Sequence, residues 1–434
     1  MRTVSKTVIG VDFGTQSARA VLVNAENGEI IYSCRKEYPY NSTPVPAIDC
    51  AENLPCATDY EMTLYELLRN VIPEEYRKTV AGICVDATSL TMVLLAEDGR
   101  ALSELDGWSE AAHARVKLWK YHRAQEKADE ALNLARNLQE PFLGRTGGSI
   151  SCEWMLPKLL EVRDEAPEIY SKIDLAMDLC EFLTFRLTGQ LVRSIGSLSY
   201  KCLWAEDLSF PERTFLNGLR AGFYEEYCHF LRGDVRKLGE CAGVLRSELT
   251  KRWGLPEQIP VATGMLDGHT SLATMGAFEP GDAALIVGTS NVCTVQDRKL
   301  QELKDVCGVA QDGMVTGSCG IDTGQSSTGN MLGWFVEHMA GWQIHREAEE
   351  RKISPHQVLA ERIQKPWENK VIAVDWWSGS RNAPCDLTLR GSMSGLEMDT
   401  KTEDIYLALL QAIACGTGTI LESLSGQGVE IGRV

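Results

Sequence analysis

The distribution of apolar residues predicts a chain that alternates short strands with helices. Its beginning is predicted to be a three-stranded meander with strands at Thr7–Asp12, Ala18–Asn24 and Ile30–Tyr38. Short apolar runs separated by turn residues are typical of strands. A further buried strand is predicted at Val80–Asp86, ahead of a polar segment. Meanders of this kind favour mixed sheets over an all-parallel, doubly wound sheet.

Apolar residues at helical spacing predict helices between the strands. The predicted helices are Asp59–Val71, His113–Leu138, Trp154–Arg163, Ala176–Leu187, Pro211–Leu219, Ser326–Ala340 and Thr402–Leu424. The loops between them are expected to carry the polar residues Glu153, Arg193 and Lys201. Strands followed by helices in both halves of the chain indicate an α/β protein.

The second half of the chain repeats a pattern of the first. Within Asp282–Gln296 an apolar strand leads into the turn Gly288-Thr289-Ser290, and a second strand follows. The segment Asp12–Ser17 stands in the same way between two predicted strands. This repetition predicts two related domains, residues 1–260 and 261–434, each of which offers one phosphate loop to a shared cleft.

Length, charge and cysteine usage narrow the class of protein. A chain of 434 residues is long enough for two domains with sizeable cores. The net charge of -17 disfavours nucleic acid and anionic lipid as partners, and no apolar run has the roughly 18–20 residues of a membrane span. The 14 cysteines are scattered without zinc-ligand spacing, and residues 1–6 show no signal peptide pattern. These features predict a cytoplasmic protein with reduced thiols.

The turn Asp12-Phe13-Gly14-Thr15-Gln16-Ser17 is a candidate phosphate loop. Backbone amides in a tight turn can surround phosphate oxygens, and Gly14 permits a close approach. Thr15 and Gln16 add side-chain donors, while Asp12 supplies a hard oxygen ligand suited to Mg²⁺. An ordinary hairpin with a polar turn explains these residues equally well. The turn Gly288-Thr289-Ser290 has less signal of its own and gains weight as the equivalent of the first loop.

Asp267 lies at a predicted strand end within the glycine-flanked segment Gly264–His269. A carboxylate there could accept the proton of a hydroxyl that attacks a phosphate. It could equally cap a helix over Thr270–Met275.

Three further polar residues stand in apolar or tight segments and are candidates for sugar contacts, or ordinary surface residues. They are Ser89, Lys201 and Asp322.

Residues 391–411 resemble the C-terminal signature of the FGGY carbohydrate kinases. They run Gly-Ser-Met-Ser-Gly-Leu, seven residues, Asp404-Ile405, two residues, and Ala-Leu-Leu-Gln. Other stretches resemble the ribulokinase branch of that family in particular. These are residues 82–92, 116–122, 151–155, 200–204, 324–326 and 375–379.

The resemblance implies two actin-like domains, of the ribonuclease H-like and hexokinase type, flanking a catalytic cleft with ATP and Mg²⁺ as cofactors. Asp12 to Gln16 and Gly288 to Ser290 match the segments that hold phosphates, and Asp12 would also hold the metal. Asp267 matches the catalytic base and is itself a substrate contact. The remaining matches to sugar contacts of ribulokinases are Ser89, Lys201 and Asp322.

Three departures from the family pattern bear on these expectations. Asp322 stands where ribulokinases usually carry Glu, and Ala87 stands where Phe is common, so the exact ketose stays open. Family members also continue for about another hundred residues beyond a segment like Gly426–Ile431, so the second domain is expected to be C-terminally incomplete.

The expected function is ATP-dependent phosphorylation of a ketopentose, L-ribulose or a close relative, at its terminal hydroxyl, with Asp267 as general base. The alternative is a non-catalytic sugar- or nucleotide-binding protein on the same scaffold, because the segment that binds adenosine in the family is not matched. The expected partners are the sugar and ATP, without nucleic acid or membrane, and a homodimer stays open.

Overall fold

The computed structural model describes residues 5–38, 54–364, 369–382, 384–386 and 388–434. The prediction about a signal peptide rests on residues 1–6, of which 1–4 lie outside this set, as does Cys50. The described cysteines are all free thiols, 13 in number. The chain forms two compact units. Unit 1 comprises Met1–Leu143, Ile150–Thr274 and Ala310–Cys319, and unit 2 comprises Gly144–Ser149, Met275–Val309 and Gly320–Val434.

Unit 1 is built on a mixed sheet that contains the predicted meander. The strands of unit 1, in this sheet and beside it, are β1 Thr7–Phe13, β2 Ser17–Asn24, β3 Ile30–Glu37, β4 Val80–Ala87, β5 Met92–Leu95, β6 Leu175–Asp178, β7 Val192–Ser194, β8 Asp234–Arg236, β9 Cys241–Val244, β10 Pro260–Ala262 and β11 Met265–Leu266. The main sheet has the order β3-β2-β1-β4-β10-β9, and β11 also pairs with β4. Strands β5 and β6 form one separate pair, and β7 and β8 form another.

The alternation of buried and half-buried residues along β1 follows from the period of two in a strand. Ile9, Val11 and Phe13 enter the core, while the polar Asp12 stays half-buried on the other face. Strand β1 is antiparallel to β2 and parallel to β4. Strand β4 also has both buried and half-buried positions along its length.

Helices cover the sheet and form a second core beside it. The helices of unit 1 are α1 Ala57–Val71, α2 Gln125–Leu138, α3 Met155–Glu165, α4 Pro167–Tyr170, α5 Leu179–Thr188, α6 Ile195–Lys201, α7 Arg213–Leu219, α8 Phe223–Phe230, α9 Ser247–Trp253 and α10 Asp267–Met275. Helices α1 and α5 pack on the main sheet, and α2, α3, α7 and α8 contribute to the second core.

Two predicted helices are shorter than the sequence pattern indicated. In the segment His113–Leu138 the α-helix begins only at Gln125. Ahead of it, Lys117 exchanges two backbone hydrogen bonds with Met92, of 2.9 and 3.1 Å, so this stretch is extended. The first residues of Ala176–Leu187 likewise belong to β6, because they pair with β5.

Two residues that were expected in loops lie in regular elements. Arg193 is in the middle of β7, and its fully buried guanidinium pairs with Glu181 at 3.0 Å. Lys201 is the last residue of α6. Residues 261–274 lie with unit 1, whereas the predicted boundary near residue 260 places them in the second domain; the reason is that β10 and β11 pair with β4.

Unit 2 contains a second sheet and four helices. The strands of the unit are β12 Ala283–Val287, β13 Asn291–Asp297, β14 Gly308–Gln311, β15 Cys319–Gln325, β16 Ile372–Ala373 and β17 Met393–Ser394, and its helices are α11 Gly329–Met339, α12 Gly341–Arg351, α13 Pro355–Arg362 and α14 Thr402–Gly426. Four of the strands form a sheet of order β12-β13-β15-β14, and β16 and β17 form a separate pair. Strand β14 and the first residue of β15 extend into the part of the chain assigned to unit 1.

The expectation that no segment has the length and apolarity of a membrane span does not hold for helix α14, the one helix in the described part of the chain that is long and apolar enough by length and composition. A third of its most apolar stretch is buried in this structure. Core helices of soluble proteins share these properties, so α14 by itself carries no membrane assignment.

Candidate active site

Three aspartates lie at the carboxyl ends of three parallel strands in unit 1. Asp12 in β1 is opposite Asp86 in β4, and Met265 in β11 is opposite the same Asp86, so Asp267 follows two residues later. Parallel strands end at the same edge of a sheet, which is where α/β proteins bind ligands. The sheet register thereby brings together residues that are far apart in the chain.

Asp267 is the first residue of α10 and is held by two backbone amides. The amide of Gly268 donates to its Oδ1 at 2.7 Å, and the amide of Ser89 also donates to the carboxylate. Burial raises the pKa of Asp267 to about 6; the Gly268 amide opposes this rise, the negative charge of Asp12 adds to it, and Lys201 lowers the value again. Its side chain is therefore an ionised base near neutral pH.

The expected alternative for Asp267, a helix cap, is compatible with this position. Helix α10 begins at Asp267 itself, and the hydroxyl of Thr270 donates to the Asp267 carbonyl at 2.6 Å. A carboxylate in the first helical turn is favoured by the positive end of the helix dipole. One carboxylate can thus begin the helix and still face the strand ends.

Asp86 was not predicted as a site residue. Burial, followed by the charge of Asp12 and a hydrogen bond to it, raises the pKa of Asp86 to about 8. Its Oδ1 atom is buried and has no hydrogen-bond partner among the described residues. The only sequence signal was that Asp86 ends a buried strand, because its approach to Asp12 depends on strand pairing.

Carboxylate oxygens of this kind fit a hard cation. Asp12 and the unpartnered oxygen of Asp86 are the oxygen donors that Mg²⁺ prefers. The described residues contain no group of three or more His, Cys, Asp or Glu side chains that could hold a metal ion. In kinases Mg²⁺ usually takes several of its ligands from water and phosphate.

The first candidate phosphate loop is a tight turn closed by its own backbone. The amide of Gly14 donates to the Ser17 carbonyl at 3.1 Å, so this amide serves the turn and not a phosphate. The hydroxyl of Tyr38 donates to the Gly14 carbonyl at 2.8 Å, and the indole of Trp119 donates to Thr15 Oγ1 at 3.1 Å. Trp119, which sequence reasoning did not select, thus fixes a side chain of the loop.

Lys201 and Ser89, both predicted sugar contacts, lie in the same unit as Asp267. Lys201 is almost fully buried, with its ammonium 5.8 Å from the ring centroid of Tyr200. Tyr200 in turn packs edge-on against His269 of α10, with centroids 4.8 Å apart, which ties the end of α6 to the helix that begins at Asp267. The Ser89 hydroxyl is buried and has no hydrogen-bond partner among the described residues.

The second candidate phosphate loop lies in unit 2 and resembles the first. The amide of Gly288 donates to the Ser290 carbonyl at 2.9 Å, which closes the turn. The carbonyl of Gly288 accepts from the Gly329 amide at 2.9 Å and from the Thr328 hydroxyl at 2.9 Å. Thr289 is exposed beside the start of α11.

Unit 2 also contains Asp322 and a cavity. Asp322 is buried in β15. The cavity, of about 170 Å³, is lined in part by Gln325, Ser326 and Asp375. The Gln325 amide donates to Asp375 Oδ2 at 2.6 Å. Two of the segments that resemble ribulokinases therefore meet at one cavity.

The chain thus combines an α/β fold with buried carboxylates at one edge of a sheet, beside a glycine-containing loop. The N-terminal domain model of the FGGY family of carbohydrate kinases matches residues 7–274, and the C-terminal domain model matches residues 283–434. The chain belongs to the FGGY family of carbohydrate kinases, and it is a carbohydrate kinase similar to the ribulokinases.

Curated relatives agree with this assignment. The chain is 34% identical over 437 residues to the ribulokinase of Halalkalibacterium halodurans, an alignment that covers 98% of this chain and 78% of that protein. It is 36% identical over 438 residues to the ribulokinase of Mycolicibacterium smegmatis, with 98% and 77% covered.

A solved structure extends the agreement to the fold. The crystal structure of xylulose kinase from Rhodospirillum rubrum superposes with a TM-score of 0.74 at 20% identity, over 99% of this chain and 80% of that one. The predicted two-domain α/β fold of the family is confirmed.

Proposed function

We propose that this chain transfers the γ-phosphoryl group of ATP to the terminal hydroxyl of a ketopentose, L-ribulose or a close relative. Relatives named ribulokinase support the sugar class. The single observation that carries the proposed chemistry is the Asp267 carboxylate, held by two amides at a strand end next to Asp12. No comparison favours the non-catalytic alternative.

In this proposal Asp267 accepts the proton of the attacking sugar hydroxyl. Its pKa of about 6 leaves the carboxylate ionised at neutral pH and basic enough to take the proton as the bond to phosphorus forms. The positive charge of Lys201 keeps that pKa from rising further, and its side chain is a proposed sugar contact. The buried, unpartnered hydroxyl of Ser89 is a further polar group for the sugar.

The phosphate loops and the metal complete the proposal. Asp12, Gly14, Thr15 and Gln16 would hold phosphate in unit 1, although the Gly14 amide is engaged within its turn. When bound, Mg²⁺ would neutralise charge on the phosphate oxygens, with Asp12 as its protein ligand.

Unit 2 supplies the second group of proposed ligands. Gly288, Thr289 and Ser290 would hold phosphate, again with the glycine amide used to close the turn. Asp322 would contact the sugar, and its side chain is one methylene shorter than the Glu usual in ribulokinases. We expect the preference of the enzyme among pentuloses and pentitols to depend on Asp322 and Ala87. Cytoplasmic location, a homodimer and the absence of nucleic-acid and membrane partners stay predictions.

The test is an ADP-release assay with L-ribulose, D-ribulose, D-xylulose, ribitol and glycerol as acceptors. We expect a ketopentose to give the highest kcat/KM. Asp267→Asn is expected to lower kcat by about 10²–10⁴-fold, because a neutral amide cannot accept the proton. The sugar KM should change little, since Asn keeps an acceptor oxygen.

Asp98→Asn is the matched control, because Asp98 is a turn residue on the surface. Near-normal turnover of Asp267→Asn would refute the base assignment. A preference for glycerol or for a non-sugar acceptor would refute the substrate class.

A further inference from the structure

The turn that presents Ser89 to Asp267 contains a residue in an unfavourable conformation. Leu90 has φ of 63°, in the left-handed region that residues other than glycine and asparagine avoid. Its side chain is buried in the second core of unit 1, so the position needs an apolar side chain as well as the left-handed backbone. Such a conformation persists only where the surroundings hold it in place.

Two fully buried ionisable side chains form hydrogen bonds with the backbone amide and the backbone carbonyl of Leu90. The Leu90 amide donates to Asp178 Oδ2 at 3.1 Å. The Leu90 carbonyl accepts from Lys158 Nζ at 2.6 Å. Both side chains have no solvent exposure. Burial lowers the pKa of Lys158 to about 7, and burial followed by the charge of Glu181 raises the pKa of Asp178 to about 7, so both are costly groups to keep in a core.

The same two side chains reach the other elements of the unit 1 site. Asp178 Oδ2 also accepts from the Ser197 hydroxyl at 3.2 Å, on the helix α6 that ends at Lys201. Lys158 Nζ also donates to the Leu118 carbonyl at 3.0 Å, one residue before the Trp119 whose indole holds the first phosphate loop. One buried pair therefore contacts the segments that carry three separate parts of the site.

We propose that Lys158 and Asp178 are positioning residues for phosphoryl transfer, which hold the Leu90 turn so that the Ser89 amide stays on the Asp267 carboxylate. Neither touches the reacting atoms; they act through the backbone of Leu90. The proposal rests on the proposed function, because it assumes that Asp267 is the base.

Lys117 offers a matched control for Lys158. It is also a fully buried lysine, and burial lowers its pKa to about 8. Its Nζ atom has no hydrogen-bond partner among the described residues and lies 5.3 Å from the Tyr121 ring centroid. Lys117→Met and Lys158→Met remove the same charge from the same core, but only the second removes a donor from the Leu90 turn.

The first measurement is the kcat and KM of both variants, with melting temperature as the check on folding. We expect Lys158→Met to lower kcat by about tenfold to a hundredfold, since a displacement of about 1 Å at a catalytic group has effects of this size. The KM for ATP should stay within about twofold, and Lys117→Met should retain the parent kcat. An equal loss of kcat in both variants, or a folded Lys158→Met with the parent kcat, would overturn the proposal.

A pair of substitutions at Asp178 covers the case in which Lys158→Met does not fold. Asp178→Asn retains an acceptor oxygen for the Leu90 amide and should keep kcat within about threefold, whereas Asp178→Leu has none and should lose about tenfold or more. Equal kcat values for the two variants would count against a positioning role, because a loss of charge alone would affect them alike.

Amide hydrogen exchange separates this proposal from the proposed function. In Lys158→Met the amides of residues 88–91 should exchange at least about tenfold faster, and in Lys117→Met they should not change. If exchange accelerates as expected but Asp267→Asn keeps its turnover, the proposed base is wrong, and the proposal that Lys158 holds the Leu90 turn is retained. If exchange is unchanged in a folded Lys158→Met, Lys158 does not hold the Leu90 turn, whatever the role of Asp267.

Discussion

Replacement of Asp267 by Asn is expected to stabilise the folded protein while it removes activity. The pKa of Asp267 rises from 3.8 to about 6 in the folded chain, chiefly because of burial. One pKa unit corresponds to about 1.4 kcal/mol, so keeping this carboxylate ionised costs roughly 3 kcal/mol of folding free energy at neutral pH. A neutral amide avoids that cost.

The hydrogen bonds to the carboxylate are already part of this figure. The amides of Gly268 and Ser89 donate to a charged oxygen in the parent, and both lower the pKa of Asp267, so the value of about 6 is net of their effect. The stabilisation of Asp267→Asn at neutral pH is therefore expected to be at most about 3 kcal/mol.

The stability difference between Asp267→Asn and the parent is expected to depend on pH. The pKa of Asp267 is higher in the folded than in the unfolded chain, so the folded state binds the proton more tightly. The parent therefore loses stability as pH rises from about 4 through about 6, and the variant lacks this loss. The advantage of Asp267→Asn should be small near pH 4 and fully developed above about pH 6.5.

Urea denaturation, followed by circular dichroism between about pH 4.5 and 7.5, measures the difference in the free energy of unfolding. The surface variant Asp98→Asn serves as the control and should show no stabilisation, because hydrogen bonds from Arg100 hold the pKa of Asp98 below its ordinary value. A variant that is less stable than the parent at pH 7.5, or a difference that does not vary with pH, would refute the reasoning.

Three further perturbations follow from the same contacts. Lys201→Met removes the cation that lowers the pKa of the proposed base, so the acidic limb of kcat/KM should move to higher pH; an unmoved limb would show that the ammonium does not act on it. Arg193→Met leaves Glu181 buried without its partner and should cost about 3–5 kcal/mol in urea denaturation, most of which the added substitution Glu181→Leu should restore. Gly196→Ala places a methyl group 2.6 Å from a backbone carbonyl oxygen and should lower the free energy of unfolding by about 1–3 kcal/mol, whereas Gly333→Ala, with open space in α11, should be neutral or stabilising.

The pattern of apolar residues was sufficient to predict a strand or helix wherever the segments that pack against each other are also close in sequence. The meander β1 to β3 was predicted to within a few residues, because each strand pairs with the next through a short turn. The strand β4 and the helix α14 were likewise recovered from long, consistent apolar patterns. The extended stretch around Lys117 was not, since its pairing partner Met92 is distant in the chain.

Some residues of the candidate site were predicted from the sequence, and others were missed because their roles depend on tertiary contacts. Asp12 and Asp267 were selected as polar residues at strand ends, and the structure places both at one sheet edge. Asp86 was missed because its importance comes from its position opposite Asp12. Lys158 and Asp178 were missed because a lysine and an aspartate in helical or strand-like segments have no pattern that marks them as buried.

The sequence by itself determined the α/β class, the two glycine-containing turns and the family, because strand period, turn chemistry and motif spacing are local properties. Only the tertiary structure decided which polar side chains meet. The pairing of β1 and β11 with β4 brings three carboxylates to one edge, and α3 and the end of β6 place the buried Lys158 and Asp178 beside the backbone of Leu90. Those contacts depend on strand register and on burial, which no short segment of the chain encodes.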